Sequence, residues 1–293
     1  MDAISIKNPF DNAPVFHVEM VSSAMDASRE LAVQGFPHGT VIVAGSQSAG
    51  RGRMPDRVWR STPGNVYCAI LLRYTGFQDI PQPLSLKTGL AVASAVEDFI
   101  ADLPHGARPA ALVKWPNDIM LCPNAADPAC AASGGTSGAK KVAGVLIESD
   151  GKTVFIGIGV NVAQTQFPED LRNKATSIAL ACGVALENND RFRLLEKSLS
   201  CLYRELRQTD DSWRERLSGR LYLKDAQVRF IAGKAGSGEA VEGILRGVGK
   251  DGALLLLRNE TGGGTCGGAG EVEAFLTGEL DVYPRELPAE APT

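Results

Sequence analysis

Three arginines, Arg51, Arg53 and Arg57, fall within SQSAGRGRMPDRVW (residues 46–59), interleaved at its start with Gly50 and Gly52. Glycines there let the backbone approach a ligand closely and reach positive φ. Arg51 and Arg53 present planar, permanently charged forks that match the oxygens of a phosphate or a carboxylate. The loop is not a P-loop, since GxxxxGK followed by Ser or Thr is absent. Nor is it a dinucleotide fingerprint, because the third glycine is missing and a strand follows instead of a helix. Taken alone, the same residues also suit a solvated basic turn. A second stretch, KWPND (residues 114–118), sets one cation, Lys114, at a strand end, with a proline and an Asn-Asp bend behind it. That lysine is placed to neutralise charge at a phosphorus or a neighbouring carbonyl; a plain hairpin is the other reading. In a third pair, KVAGVLIE (141–148) and GIGVNV (157–162), Gly144, Gly157 and Gly159 sit inside strands. There they mark either a backbone passing close to a ligand or tight strand packing. Asn161 offers a donor and an acceptor at the strand end.

These segments need a scaffold, and the surrounding pattern supplies one. VFHVEMV (15–21) reads as a strand, and residues 22–35 as a helix with Ser or Asp caps and Gly35 as its stop. GTVIVAG (39–45) suits an interior strand, and PGNVYCAILLRY (63–74) a turn followed by a strand. Leu86, Leu90, Ala93, Val96 and Ile100 form one apolar stripe along a helix over 84–102. ALVKW and IML are strands joined by the PND turn, and two long strands around Asp150-Gly151 form a hairpin with that dipeptide as its turn. Leu195, Leu199, Leu202 and Leu206 define a later helix with Asn189 as N-cap. Between them, residues 122–141 are rich in Ala, Gly, Ser and Pro without periodicity and read as a mobile insertion. From about 222 the texture turns to short strands and glycine-rich turns, a small β-barrel-like unit beginning near Arg220. The expected organisation is a catalytic unit over 1–220, a small β unit over 221–285 and a disordered tail over 286–293.

Composition narrows the classes. A chain of 293 residues with 44% hydrophobic content can bury one large core and a smaller one. A net charge of −4 argues against a surface that coats nucleic acid, so any anion site must be local. No run approaches the ~20 apolar residues of a membrane span, and the N-terminus lacks signal-peptide order, so a cytoplasmic protein is expected. Cys68, Cys122, Cys130, Cys182, Cys201 and Cys266 show no CxxC spacing, which argues for reduced thiols and against zinc. His17, His38 and His105 stand alone and read as surface or packing residues.

Together, SQSAGRGR with Trp59 and PGNVY, KWPNDIML, KVAGVLIE with GIGVNV, ATSI (175–178) and FLTGEL resemble the biotin protein ligases over roughly residues 15–280. The resemblance implies an α+β catalytic domain, a mixed sheet with packed helices of the class II synthetase and biotin/lipoate ligase type, followed by a small SH3-like β-barrel. It implies an enzyme that joins biotin and ATP, with Mg²⁺, into biotinyl-5′-adenylate and then moves the biotinyl group to a lysine of a biotin carboxyl carrier domain. It assigns Ser23, Gln47, Gly50, Arg51, Lys114 and Gly144 to biotin, and Arg53, Trp59, Asn117 and Asn161 to the nucleotide. Arg51, Arg53 and Lys114 carry the chemistry in this reading. Asp118 and Asn161 are the candidate contacts for the ion. With only about 15 residues ahead of the first strand, the chain is similar to forms without a DNA-binding unit, so nucleic acid is not an expected partner; a membrane is not expected for want of an apolar span, and the resemblance leaves monomer and homodimer both open. Two departures stand out: Pro55-Asp56 replaces the family's later loop glycine, and Ala24 stands where the family tends to have a hydroxyl. The competing readings are a lipoate or octanoate ligase or transferase on a related fold, and a non-catalytic biotin-responsive binding protein.

Overall fold

A computed structural model describes residues 1–54, 57–123, 138–233, 238–258 and 271–282. Its larger sheet is built from β1 (Asp2–Ala3), β2 (Val15–Val21), β3 (Val41–Gln47), β4 (Val66–Arg73), β5 (Ala110–Lys114), β6 (Asp118–Cys122), β7 (Lys140–Asp150) and β8 (Thr153–Val160). These run in the order β1-β2-β3-β4-β8-β7-β6-β5. Only β2 and β3 pair in parallel; the other pairings are antiparallel. Helix α1 (Ala24–Val33) makes the crossover between the parallel pair, and α2 (Leu84–Ala101) follows β4. Two short helices, α3 (Glu169–Arg172) and α4 (Ile178–Cys182), lead from β8 to α5 (Asp190–Leu206) and α6 (Ser212–Ser218).

Alternation along the strands divides the side chains between two faces. Ile156, Ile158 and Val160 of β8 join Leu90, Val96 and Phe99 of α2 and Leu195, Leu199 and Leu202 of α5 in the main buried cluster. Phe155 faces the other way and packs with Ala69, Leu71, Ile42 and the α1 residues Ala24, Met25 and Leu31. Because α1 is short and lies against β3, β4 and β8, the second face stays uncovered over the ends of β7 and β8. The glycines stand along this floor, at the edge of α1 and beyond it.

The C-terminal sheet holds β9 (Gln227–Ala232), β10 (Ala240–Val248), β11 (Leu254–Arg258), β12 (Val272–Phe275) and β13 (Gly278–Leu280), all antiparallel, in the order β12-β11-β10-β9-β13. A small antiparallel β unit at this end is what the residue texture predicts. Its buried side chains, Phe230, Leu245, Leu254 and Leu256 among them, are continuous with the main cluster. Trp115 of the KWPND turn supplies one junction: its indole N–H donates to the Gly252 carbonyl at 2.9 Å, and its ring meets Phe230 at a centroid distance of 5.8 Å.

Several local expectations need correction. The β7–β8 loop is Gly151-Lys152, one residue later than the Asp-Gly turn, because Asp150 still pairs with Thr153 and Gly151 takes φ +59°. A glycine at the first of two loop positions is what a II′ turn requires. Asn189 stands at the α5 N-cap position without capping it; its φ of −79° and ψ of −17° are already helical, and no side-chain bond is made. Cys122 is disulfide-bonded, against the expectation of reduced thiols, with its partner outside the described residues. Bridging requires two Cα atoms within about 7 Å and Cβ vectors that face each other, neither of which sequence spacing reveals. Cys68, Cys182 and Cys201 are free and buried. The insertion (122–141) lies mostly outside the described residues, as do Pro55-Asp56 and the tail. Among the described residues no helix is long and apolar enough to cross a membrane.

Candidate active site

A cavity of about 760 Å³ opens on the uncovered face, lined by residues of α1, the arginine loop, the KWPND turn, β7, β8 and β13. Strand register gives it an axis. Gly144 pairs with Gly159, Leu146 with Gly157 and Glu148 with Phe155. Each pair follows the last on the same face, so the floor runs about 14 Å at roughly 3.4 Å per residue.

At the Gly144 end the groups are charged. Lys141 donates to Asp118 at 2.6 Å, and Lys114, 2% exposed, lies across the β5–β6 pair from Asp118. Burial opposes ionisation of Asp118, but Lys141 and Lys114 outweigh it and hold the carboxyl below its ordinary range. Burial pushes the Lys114 ammonium below its ordinary value, with Asp118 acting against the shift. Over this end lies the Trp59 indole. A Cβ on Gly159 would stand 2.8 Å from its Cε2 and Cζ2, and one on Gly144 3.0 Å from its Cζ3. The Lys141 ammonium sits 5.3 Å from the ring centroid. The indole Nε1 is buried without a hydrogen-bond partner, a donor for which an incoming acceptor would recover about 1–3 kcal/mol.

The middle of the cavity is apolar, with Met25 lying over Gly157 and Leu146 beside it. Ser23 caps α1, its hydroxyl accepting from the Met25 N–H at 3.2 Å, and the Gln47 Oε1 accepts from the Ala24 N–H at 2.8 Å. Beyond Met25 the floor ends in charge again. Arg51 donates to both oxygens of Asp26 (2.8 and 2.7 Å) and, at 3.3 Å, to both oxygens of Glu148. Arg29 also pairs with Glu148, at 2.7 Å. Hydrogen bonding to Arg51 holds Asp26 below the usual carboxylate range.

Most of the expected site residues therefore line one cavity: Ser23, Gln47, Arg51, Arg53, Trp59, Lys114, Asn117, Gly144 and Asn161. Two of the expected residues are placed differently from the rest. Gly50 is not in the lining; a Cβ there would meet the Trp59 carbonyl at 2.5 Å, so its smallness serves the close pass of the loop's two arms. Arg51 lines the cavity at the end away from Lys114, with its guanidinium held by two carboxylates instead of presented to an anion beside Lys114. Arg53 instead donates to the Gly278 carbonyl at 2.8 Å, and Arg57 grips Glu279 through two bonds of 2.7 and 2.8 Å. The loop is thereby tied to β13. Asn117 donates to the Val145 carbonyl and Asn161 to that of Thr176, at 2.9 and 3.0 Å, so both amides are oriented by backbone.

Lys141, Asp26, Glu148 and Glu279 escape the sequence reading. Lys141 is hidden by a register shift between Ile119 and Met120 on the partner strand. Val142 and Ala143 both face the main core, so strict alternation fails and Lys141 turns to the cavity face. The doubled lysine of KKVAG is the available signal.

The class that the fold and the cavity define is a mixed α+β domain whose sheet floor is roofed by an arginine loop. The chain belongs to the biotin/lipoate A/B protein ligase family, whose model matches residues 17–162. It is 34% identical over 201 residues to the bifunctional ligase/repressor BirA of Bacillus subtilis, covering 66% of this chain and 53% of that protein. It is 35% identical over 181 residues to the biotin–acetyl-CoA-carboxylase ligase of Mycobacterium tuberculosis, covering 60% and 56%. The chain thus spans about half the length of these curated relatives. Among solved structures, the biotin protein ligase of Aquifex aeolicus in complex with biotin and ATP matches with a TM-score of 0.66 and 25% identity, over 91% of this chain and 97% of that one.

Proposed function

We propose that this protein is an ATP-dependent biotin protein ligase, with residues 1–220 forming the catalytic unit and 221–285 an SH3-like unit that anchors the arginine loop. The observation that carries the reading is the polarity of the cavity: two lysines and a tryptophan at one end, an apolar stretch over Gly157 in the middle, and the Arg51–Glu148 cluster closing the far end. A carboxylic acid with an apolar body, and a nucleotide at its carboxyl end, suit that order.

The chemistry needs no nucleophilic side chain. The biotin carboxylate oxygen attacks the α-phosphorus of ATP, pyrophosphate leaves, and a mixed anhydride results. In the second step a neutral acceptor-lysine amine attacks the acyl carbon, AMP departs with the electron pair of the broken C–O bond, and the amine loses its proton. Alignment and charge stabilisation are what the protein supplies. Lys141 is the cavity cation that supports the developing phosphorane charge, with Asp118 and buried Lys114 fixing its position. Trp59 provides a flat face and a free N–H donor for the base, beside the oriented Asn161. The loop, tied to β13, keeps water from the anhydride. Among the described residues no group of three His, Cys, Asp or Glu side chains is placed to hold a metal. That fits a Mg²⁺ carried in on the nucleotide and retaining water as ligands.

Incubating the protein with ATP, biotin and a biotin carboxyl carrier domain, and locating the modification by mass spectrometry, tests the reading. Biotinylation of one carrier lysine, unaffected by excess lipoate or octanoate, is expected. Transfer of lipoate or octanoate in preference would establish the neighbouring activity, and binding of biotin without AMP release would establish a non-catalytic regulator.

A further inference from the structure

Met25 is the long apolar side chain of α1 that lines the cavity. It is 5% exposed and belongs to the smaller buried cluster, flanked there by Leu31, Ile42 and Phe155. Its sulfur lies over Gly157 so closely that a Cβ on that glycine would stand 2.8 Å from Sδ and 3.3 Å from Cγ. Both residues line the cavity, midway between the Lys141–Asp118 end and the Arg51–Glu148 end. The contact is therefore a seat: the glycine's missing side chain is the space the thioether occupies, and the thioether's height sets how much room remains above it. The backbone around Met25 is fixed, since its N–H is bound by the Ser23 hydroxyl and that of Ala24 by Gln47. Only the side chain's three soft torsions can adjust. On its far side it is packed against the cluster, so displacement by an added Cβ sends it toward the cavity.

We propose that Met25, seated on Gly157, is the size determinant for the ring end of the acyl substrate. The proposal rests on the biotin-ligase reading and deepens it: the bicyclic body of the acid lies against this thioether, and the pair, not the charged end, decides which acids fit. Ala24, the other α1 residue in the lining, is the smaller of the two, which leaves Met25 to set the height of this wall.

The test is a double-substitution cycle on the full chain, read as biotin-dependent pyrophosphate release. Gly157→Ala lifts Met25 and lowers kcat/KM for biotin tenfold or more, chiefly through KM, with KM for ATP changed less than twofold. Met25→Ala in the same background recovers most of that loss, because the group being lifted is gone. Met25→Ala alone raises kcat/KM at least tenfold, relative to biotin, for at least one member of a series of biotin analogues carrying a three-carbon substituent at successive ring positions. Met25→Val, a milder truncation, serves the same comparison if Met25→Ala does not fold, and Met25→Leu, of similar volume, keeps the parental preference. A Gly157→Ala defect that persists in the double variant overturns the proposal, as does an unchanged analogue-to-biotin ratio in the truncated variants. A parental protein that releases no pyrophosphate with biotin overturns the proposed function itself, so the two failures are distinct.

Discussion

Replacing Glu279 by glutamine removes the carboxylate that Arg57 grips while leaving the Gly278 carbonyl available to Arg53. The Arg57 side chain is 56% exposed and Glu279 23%, so the pair belongs among solvent-screened ion pairs, and its bidentate geometry puts it near the upper part of their range, about 0.5–1 kcal/mol. A loss of that size changes the ratio of tied to released loop about two- to fivefold. If the loop guards the adenylate, the intermediate should escape two- to fivefold faster from Glu279→Gln than from the parent. Arg53→Ala removes a charge-assisted bond to a carbonyl, worth about 1.5 kcal/mol at the low end, and should speed escape tenfold or so. The assay is rapid filtration of protein preloaded with biotin and adenine-labelled ATP, in the absence of carrier, at 50 and 500 mM salt. The Glu279→Gln effect should shrink at the higher salt as screening removes what the substitution removed. Escape unchanged within 1.5-fold at low salt, or raised equally at both salts, would refute the view that this contact holds the loop.

Other consequences are as direct. Lys141→Ala should slow pyrophosphate release about 10²- to 10³-fold, the scale of losing one preorganised charge partner, and Lys114→Ala should slow it by a comparable factor; steady-state release with biotin checks both. Asp118 has its folded pKa below the ordinary value of about 3.9, so its ionic contribution is present above that value and is lost as pH falls through the folded pKa. The stability difference between parent and Asp118→Asn in urea unfolding should be constant from pH 7 to 5 and shrink below about pH 4. The Cys68 thiol, buried in β4 and pushed up to about 12, should resist alkylation at pH 8 in the folded protein and react at the rate of an exposed thiol only in denaturant. Arg53→Gly should increase biotinylation of bystander lysines when carrier is absent, scored by mass spectrometry of an added unrelated protein.

Strand β8 is legible in the alternation of GIGVNV, α2 and α5 in their 3.6-residue stripes, and α1 in its Ser cap and the Gly35 stop. The cavity is legible through its glycines, since Gly144, Gly157 and Gly159 sit inside strands and mark a surface that something approaches closely. What touches them was not legible. The close approach is to Trp59 and Met25, contacts between segments far apart in the chain. Lys141 is lost to alternation because the irregularity opposite Ile119 and Met120 shifts the phase by one residue. Arg51 reads as an anion grip because spacing cannot show that Asp26 and Glu148 converge on it from α1 and β7. The dependence of the loop on β13 is equally hidden, as more than 200 residues separate the partners in sequence.

The central claim is that this cavity activates biotin on ATP. Isotope exchange between pyrophosphate and ATP, measured with and without biotin and without any carrier, tests it most directly. Exchange that depends on biotin, and that is abolished by Lys141→Ala, is the predicted result. Absence of exchange with biotin in the parental protein, or exchange that proceeds equally well without it, would contradict the account.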